Sequence, residues 1–192
     1  RVATLAEMVP AQVGVDPQQA REAALLAKAD LQSRLVGEFP ELQGIAGRYY
    51  AAVENHPLEV AHALDEAYMP RFAGDAIAPS PLGQVLAIAE RLDTLAGGFA
   101  AGLKPTGNKD PFAQRRKAVG LARTLLEGGH DVVLHDLVER ALSLQPVQGK
   151  DISSFDITSF VYDRLRGYYA DRGVAGTQFD AVENVAHDSL PD

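Results

Sequence analysis

Histidines, aspartates and a run of lysine and arginine are the side chains of this chain that could hold a metal ion or an anion. The run is Lys104 to Lys117, KPTGNKDPFAQRRK. It sets five cationic side chains (Lys104, Lys109, Arg115, Arg116 and Lys117) against one carboxylate, Asp110, in a chain of net charge −8. Its pattern predicts a Gly/Pro loop running into a helix opened by Asp110-Pro111, with the Arg-Arg-Lys cluster in the first turns. Positive charge at a helix start opposes the helix dipole and costs about 0.3–1 kcal/mol. A cost taken there suggests that something anionic is met; a solvated basic turn is the plain alternative.

A metal centre needs several imidazoles and carboxylates converging on one spot. The five histidines do not converge readily. His56 and His62 lie roughly 240° apart around an ideal helix, and His130 and His135 roughly 140° apart. The dipeptide His135-Asp136 has no second histidine in its own helix. Asp30 and Asp93 stand out because each falls within an apolar helical pattern, KADL and AERLDTL. A carboxylate in such a place must be paired or hydrogen-bonded. The pair reads either as metal ligands or as polar ties between helices, through Lys28, Arg91 or Thr94, and the lack of imidazole partners favours the ties.

Other chemistries lack their residues. The chain has no cysteine, which excludes disulfides, thiolate sites and cysteine nucleophiles and fits a reducing compartment. No serine sits in a nucleophile elbow, and Gly102 and Gly107 lack the Lys-Ser/Thr sequel of a phosphate loop. Tyr49-Tyr50 and Tyr168-Tyr169 could stack bases, though boundary packing with the hydroxyl outward is the commoner use of such pairs. There is no apolar run long enough for a bilayer, and no basic stretch followed by an apolar one has the pattern of a signal peptide. Net acidity argues against a general nucleic-acid coat, so any polyanion contact must be local.

The elements that position these residues read as helical almost throughout, with no strand alternation. Five helices are predicted to start on a proline, at Asp16-Pro17, Phe39-Pro40, His56-Pro57, Ser80-Pro81 and Asp110-Pro111. The first is expected to run from Pro17 to Val36, with Leu25, Leu31 and Leu35 inward. Others are expected over Pro40 to Glu54, Pro57 to Met69, and Pro81 to Gly98, where Gly97-Gly98 read as a helix end. Further helices are expected over Pro111 to Glu127, Asp131 to Leu144 (Val133, Leu134, Leu137, Val138 and Leu142 inward), Ile152 to Asp171, and from Thr177 to about His187. Residues 145–151 read as a connector. Arg1 leads directly into an apolar helical pattern without a start methionine, so a fragment of a longer chain is expected.

Several blocks, in one order, resemble a known family. KADL (28–31), VGEFPELQGIAGRYYA (36–51), YMPRFAGD (68–75), AERLDTLAGGF (89–99) and KPTGNKDPFAQRR (104–116) are similar to the β subunit of bacterial glycyl-tRNA synthetase. FVYDRLRGYYADRG (160–173) and FDAVENVA (179–186) extend the likeness more loosely. Gln32-Ser33-Arg34, Ala46 and Gln114 depart from the usual wording of the family at the level of packing.

The resemblance implies an all-α fold, an HD-domain-like helical bundle over 1–127 followed by additional helices over 128–192. In active HD hydrolases a His-Asp pair stands where this chain has Ala29-Asp30, and a later aspartate matches Asp93; without the histidine the metal centre is expected to be lost. The family joins glycine to tRNA(Gly) with ATP and Mg2+, used at the α subunit, so no cofactor is expected in this piece and no chemistry from it alone. The partners implied are the α subunit and tRNA(Gly), in the cytoplasm, with no membrane and no DNA. Lys104, Lys109, Arg115, Arg116 and Lys117 are then the expected tRNA phosphate contacts. The rival readings are a metal-dependent HD-type nucleotide phosphohydrolase and a purely structural spacer.

Overall fold

The computed structural model describes residues 1–9, 14–72, 74–106, 109–147 and 152–183. Among the described residues there are α-helices and short 3-10 turns and no strand, as the sequence pattern requires; one isolated bridge joins Thr106 and Lys109. The α-helices are α1 (Val2–Met8), α2 (Pro17–Leu26), α3 (Arg34–Glu38), α4 (Ile45–Val53), α5 (Leu58–Glu66), α6 (Pro81–Ala100), α7 (Gln114–Glu127), α8 (Leu134–Ser143), α9 (Ser154–Ala170) and α10 (Gly176–Glu183). None is long and apolar enough to cross a membrane. The chain forms two compact units, Arg1–Glu90 and Arg91–Asp192, a division that falls inside α6, whereas the sequence reading divides the chain at 127/128.

In the first unit α2 packs on α1 and α5, and α4 packs on α5. Alanines make the contact: Ala20, Ala23 and Ala24 of α2 are buried, as are Ala61 and Ala63 of α5. The expected helix from Pro17 to Val36 does not form. It stops at Leu26, Lys28 turns left-handed (φ 66), a 3-10 turn covers Ala29–Gln32, and Ser33 caps α3 by accepting from Val36 N. Leu25, Leu31 and Leu35 are 65%, 41% and 40% exposed, so they are not the inward face. Asp30 is inward instead, and tertiary demand overrides helix propensity here.

The prolines divide the same way. Pro17 and Pro81 begin helices, with Asp16 Oδ1 accepting from Gln18 N and Ser80 Oγ from Gly83 N. Pro40 opens only a 3-10 turn (Pro40–Leu42), and α4 starts behind Gly44. Pro57 stands just before α5, and Pro111 lies in a turn three residues ahead of α7. The fixed φ of proline suits a turn as well as a first helical turn, so the residue alone does not choose.

In the second unit α9 packs on α7 and α8, and α10 packs on α9. Ile157, Phe160, Val161 and Leu165 of α9 are buried, with Ala118, Leu121, Ala122 and Leu125 of α7 and Leu134, Leu137, Val138 and Ala141 of α8. Val133 is 38% exposed and Leu142 half-buried, so the inward face of α8 is offset from the expected one. Gly97 and Gly98 do not end α6. They give room to the side chains of Gln145 and Gln114, which a Cβ at either position would meet, and the helix continues to Ala100. Asp156 closes a capping box on Ser153 at the start of α9. Residues 148–151 of the connector and the expected extension of α10 beyond Glu183 lie outside the described residues.

Candidate functional site

The basic segment lies in the second unit. Helix α7 begins at Gln114, behind Ala113 in a left-handed conformation (φ 54), so Arg115, Arg116 and Lys117 fall in its opening turn. Asp110 still caps it, from four residues away: Oδ1 accepts from Gln114 N at 2.8 Å and Oδ2 from Arg115 N at 2.9 Å. That carboxylate offsets part of the dipole cost inferred from the sequence. Gln114, only 1% exposed, donates from Nε2 to the Leu103 carbonyl at 2.9 Å. The bond closes the loop between α6 and α7 and holds its basic residues next to the helix start. Lys109 exchanges backbone hydrogen bonds with Thr106 at its middle. Lys104, Lys109 and Arg116 are exposed, while Arg115 and Lys117 are half-buried. The Lys104 ammonium stands 5.7 Å over the Phe99 ring. Gly107 and Asn108 lie outside the described residues.

Of the residues singled out by the HD resemblance, Ala29 and Asp30 lie in the first unit and Asp93 in the second. Ala29 is exposed in the 3-10 turn. Asp30 is 3% exposed, and its Oδ2 accepts from Gly44 N at 2.7 Å, at the start of α4. The tie therefore runs to a backbone N–H rather than to Lys28, whose ammonium pairs with Glu90 Oε1 at 2.6 Å. Burial, with Asp30 and Glu90 nearby, pushes the Tyr68 hydroxyl up to about 12. In the other unit, Asp93 Oδ1 accepts from Gln145 Nε2 at 3.1 Å. His56 bonds Glu22, and His135 lies within hydrogen-bond distance of Ser154 Oγ. Among the described residues no three His, Asp or Glu side chains form a group that could hold a metal ion.

Sequence reasoning missed a second polar cluster, at the far end of α7. Glu127 accepts from Arg123 at 2.7 and 3.1 Å and from Tyr168 OH at 3.0 Å. Those bonds, the one from Arg123 foremost, hold its carboxyl below the usual range. His130 follows, its Nε2 buried and without a hydrogen-bond partner, and burial lowers its pKa. The signals in the sequence were the Tyr168-Tyr169 pair and the Glu127-Gly128-Gly129 helix end, which no spacing rule connects.

The half-buried imidazole of His130 makes a testable contribution. Its folded pKa lies below the ordinary value of 6.5, so its stabilisation is present above pH 6.5 and is lost as pH falls through the folded value. The wild type is expected to lose urea resistance between about pH 7.5 and 5.5, and His130→Gln to flatten that loss. Equal losses in both proteins would refute it. Glu127 and Asp156, with depressed carboxyl pKa values, act only in more acid solution.

The family model described as "Glycyl-tRNA synthetase beta subunit" matches residues 1–184. The chain is 61% identical over 199 residues to the Glycine--tRNA ligase beta subunit of Xanthomonas campestris pv. campestris (strain B100), covering 100% of this chain and 28% of that protein. It is 48% identical over 223 residues to the namesake from Xylella fastidiosa (strain M12), covering 100% and 31%. Identity to the Acinetobacter baumannii (strain ACICU) protein of the same name is 47% over 188 residues, covering 97% and 27%. The chain thus spans less than a third of the length of these relatives. Matched along nearly all of its residues, with the blocks around Asp30, Asp93 and the basic loop included, the chain belongs to the glycyl-tRNA synthetase beta subunit family.

Proposed function

We propose that this chain is a supporting part of a glycine–tRNA ligase: it helps to hold tRNA(Gly) or the α subunit while glycine is joined to the tRNA, and performs no chemistry alone. The observation that carries this reading is the family match over residues 1–184. The names of the relatives specify glycine, tRNA and a beta subunit, and a beta subunit implies an alpha partner. On this reading the protein works in the cytoplasm, and ATP and Mg2+ are used at the α subunit. The bonds from the Gly44 N–H to Asp30 and from Gln145 to Asp93 favour ties within the helical fold over a metal-dependent phosphohydrolase.

Lys104, Lys109, Arg115, Arg116 and Lys117 are the proposed phosphate contacts, near the acceptor arm. Paired RNA is recognised mostly by shape, phosphate and 2′-hydroxyl, which a short basic loop and a helix start can supply. Replacing Arg115, Arg116 and Lys117 by alanine in the full assembly is expected to flatten the dependence of log K on log salt by about 0.7–0.9 for each phosphate that is no longer neutralised. An unchanged salt slope would remove this role. Weakened assembly with tRNA affinity intact would move the cluster to a protein interface, and no effect on either would leave a spacer.

A further inference from the structure

Helices α7 and α9 end beside a cavity of about 340 Å³ bordered by Glu127, His130, Tyr168, Tyr169 and Arg172, with Leu125 and Val132 among its apolar walls. The basic helix start lies at the opposite end of α7, roughly 20 Å away at 1.5 Å per residue. The cavity is small for a ligand pocket and suits one ring system with little more attached.

Two features define what it would take. The Arg172 Cζ stands 3.5 Å over the Tyr168 ring, and Arg172 Nη1 donates to the Tyr168 carbonyl at 3.2 Å. The guanidinium is thereby fixed on one side by an aromatic face, while 50% of the side chain stays exposed. A held planar cation with a free side is a platform for another flat ring. Glu127 is immobilised by Arg123 and by Tyr168 OH, which leaves acceptor capacity on its Oε2 for an N–H edge. The His130 imidazole contributes to the wall, with its Nε2 buried away from the opening.

An anion does not suit this place. Two helix C-termini border it, with the negative ends of their dipoles, and Glu127 and Asp131 add carboxylates beside the one guanidinium at the cavity wall. A purely apolar ligand would leave the Glu127 carboxylate unanswered. A flat ring with N–H donors on its edge answers both features together.

We propose that this cavity takes the base of an unpaired nucleotide, stacked on the Arg172 guanidinium with its polar edge toward Glu127. The site deepens the RNA reading above and rests on it only for the origin of the base, which a free nucleotide or a single-stranded stretch of RNA could supply.

The chain has no tryptophan and six tyrosines, so tyrosine emission reports stacking beside Tyr168. The full chain is titrated with AMP, GMP, CMP and UMP, with a mixed-sequence single-stranded RNA, and with ribose 5-phosphate, which lacks a base. Saturable quenching by a mononucleotide or by the RNA is expected, and none by ribose 5-phosphate. Saturation by the strand alone assigns the base to RNA; saturation by mononucleotides as well shows that a free nucleotide suffices. Arg172→Ala is expected to weaken binding about tenfold or more, a typical effect of removing one stacking partner. Arg172→Lys, which keeps the charge and loses the plane, is expected to weaken it similarly. No saturable quenching by either the mononucleotides or the RNA, equal binding of ribose 5-phosphate, or wild-type affinity in Arg172→Lys would each overturn the proposal. The salt slope of tRNA binding reports on the basic cluster and mononucleotide quenching on the cavity, so either reading can fail without the other.

Discussion

Replacing Gly44 by alanine is expected to destabilise the first unit by about 3 kcal/mol, the sum of a disallowed backbone conformation and a collision, each typically worth about 1–3 kcal/mol. Gly44 caps α4 at φ 79 and ψ −44, where a Cβ is strained whatever the space around it. The space is also taken. A Cβ would lie 2.7 Å from the Tyr68 ring and 2.9 Å from the Leu64 carbonyl oxygen, and a helical carbonyl cannot swing aside as a side-chain tip can. The displacement would pull the Gly44 N–H from its 2.7 Å bond to the buried Asp30 carboxylate. Gly102 is the control: its φ is 72 and a Cβ there meets nothing within 4 Å. Gly102→Ala should therefore cost only the conformational part, about 1–2 kcal/mol. Urea unfolding of both variants tests the difference, and equal midpoint shifts would show that the packing around Gly44 yields.

This pair of glycines shows where the sequence was legible. Gly102 after an apolar helical run reads as a loop from its surroundings. Gly44 does not, because its demand comes from Tyr68 and Leu64, some twenty residues on, and from a carboxylate fourteen residues back that propensity assigns to a helix. The long apolar face of α6 was readable for the opposite reason: Val85, Leu86, Ile88, Ala89, Leu92 and Leu95 are all at most 1% exposed, and a face defined by one helix needs only local periodicity. Asp110 was legible as a cap but not in its register, since a side chain can reach α7 across a turn that composition alone does not size. The basic residues were visible as charge; the bond from Gln114 to the Leu103 carbonyl that gathers them was not, because a buried glutamine amide looks in sequence like any exposed helix former. The Glu127–Tyr168–Arg172 cluster joins residues some forty positions apart and had no sequence signal beyond a pair of tyrosines.

The second large effect is expected at Phe99, on the helix that leads into the basic loop. Phe99→Ala should cost about 3–5 kcal/mol, the usual range for truncating a buried aromatic ring. Phe99 is 1% exposed and meets Phe160 of α9 edge-on, ring centroids 5.3 Å apart, so its loss opens a void beside α9 and forfeits the aromatic pair. The same ring lies beneath the Lys104 ammonium at 5.7 Å. An exposed cation over a phenyl face contributes only about 0.5–1 kcal/mol, so Lys104→Ala should leave stability nearly unchanged while Phe99→Ala shifts the urea midpoint strongly. Phe99→Leu, which refills most of the space, should recover most of the loss. The ordering separates packing from charge at this one ring: the phenyl group anchors the end of α6, and the lysine above it is available to a partner. If Lys104→Ala proved as damaging as Phe99→Ala, the lysine would belong to the fold, and its place among the proposed phosphate contacts would fall with it.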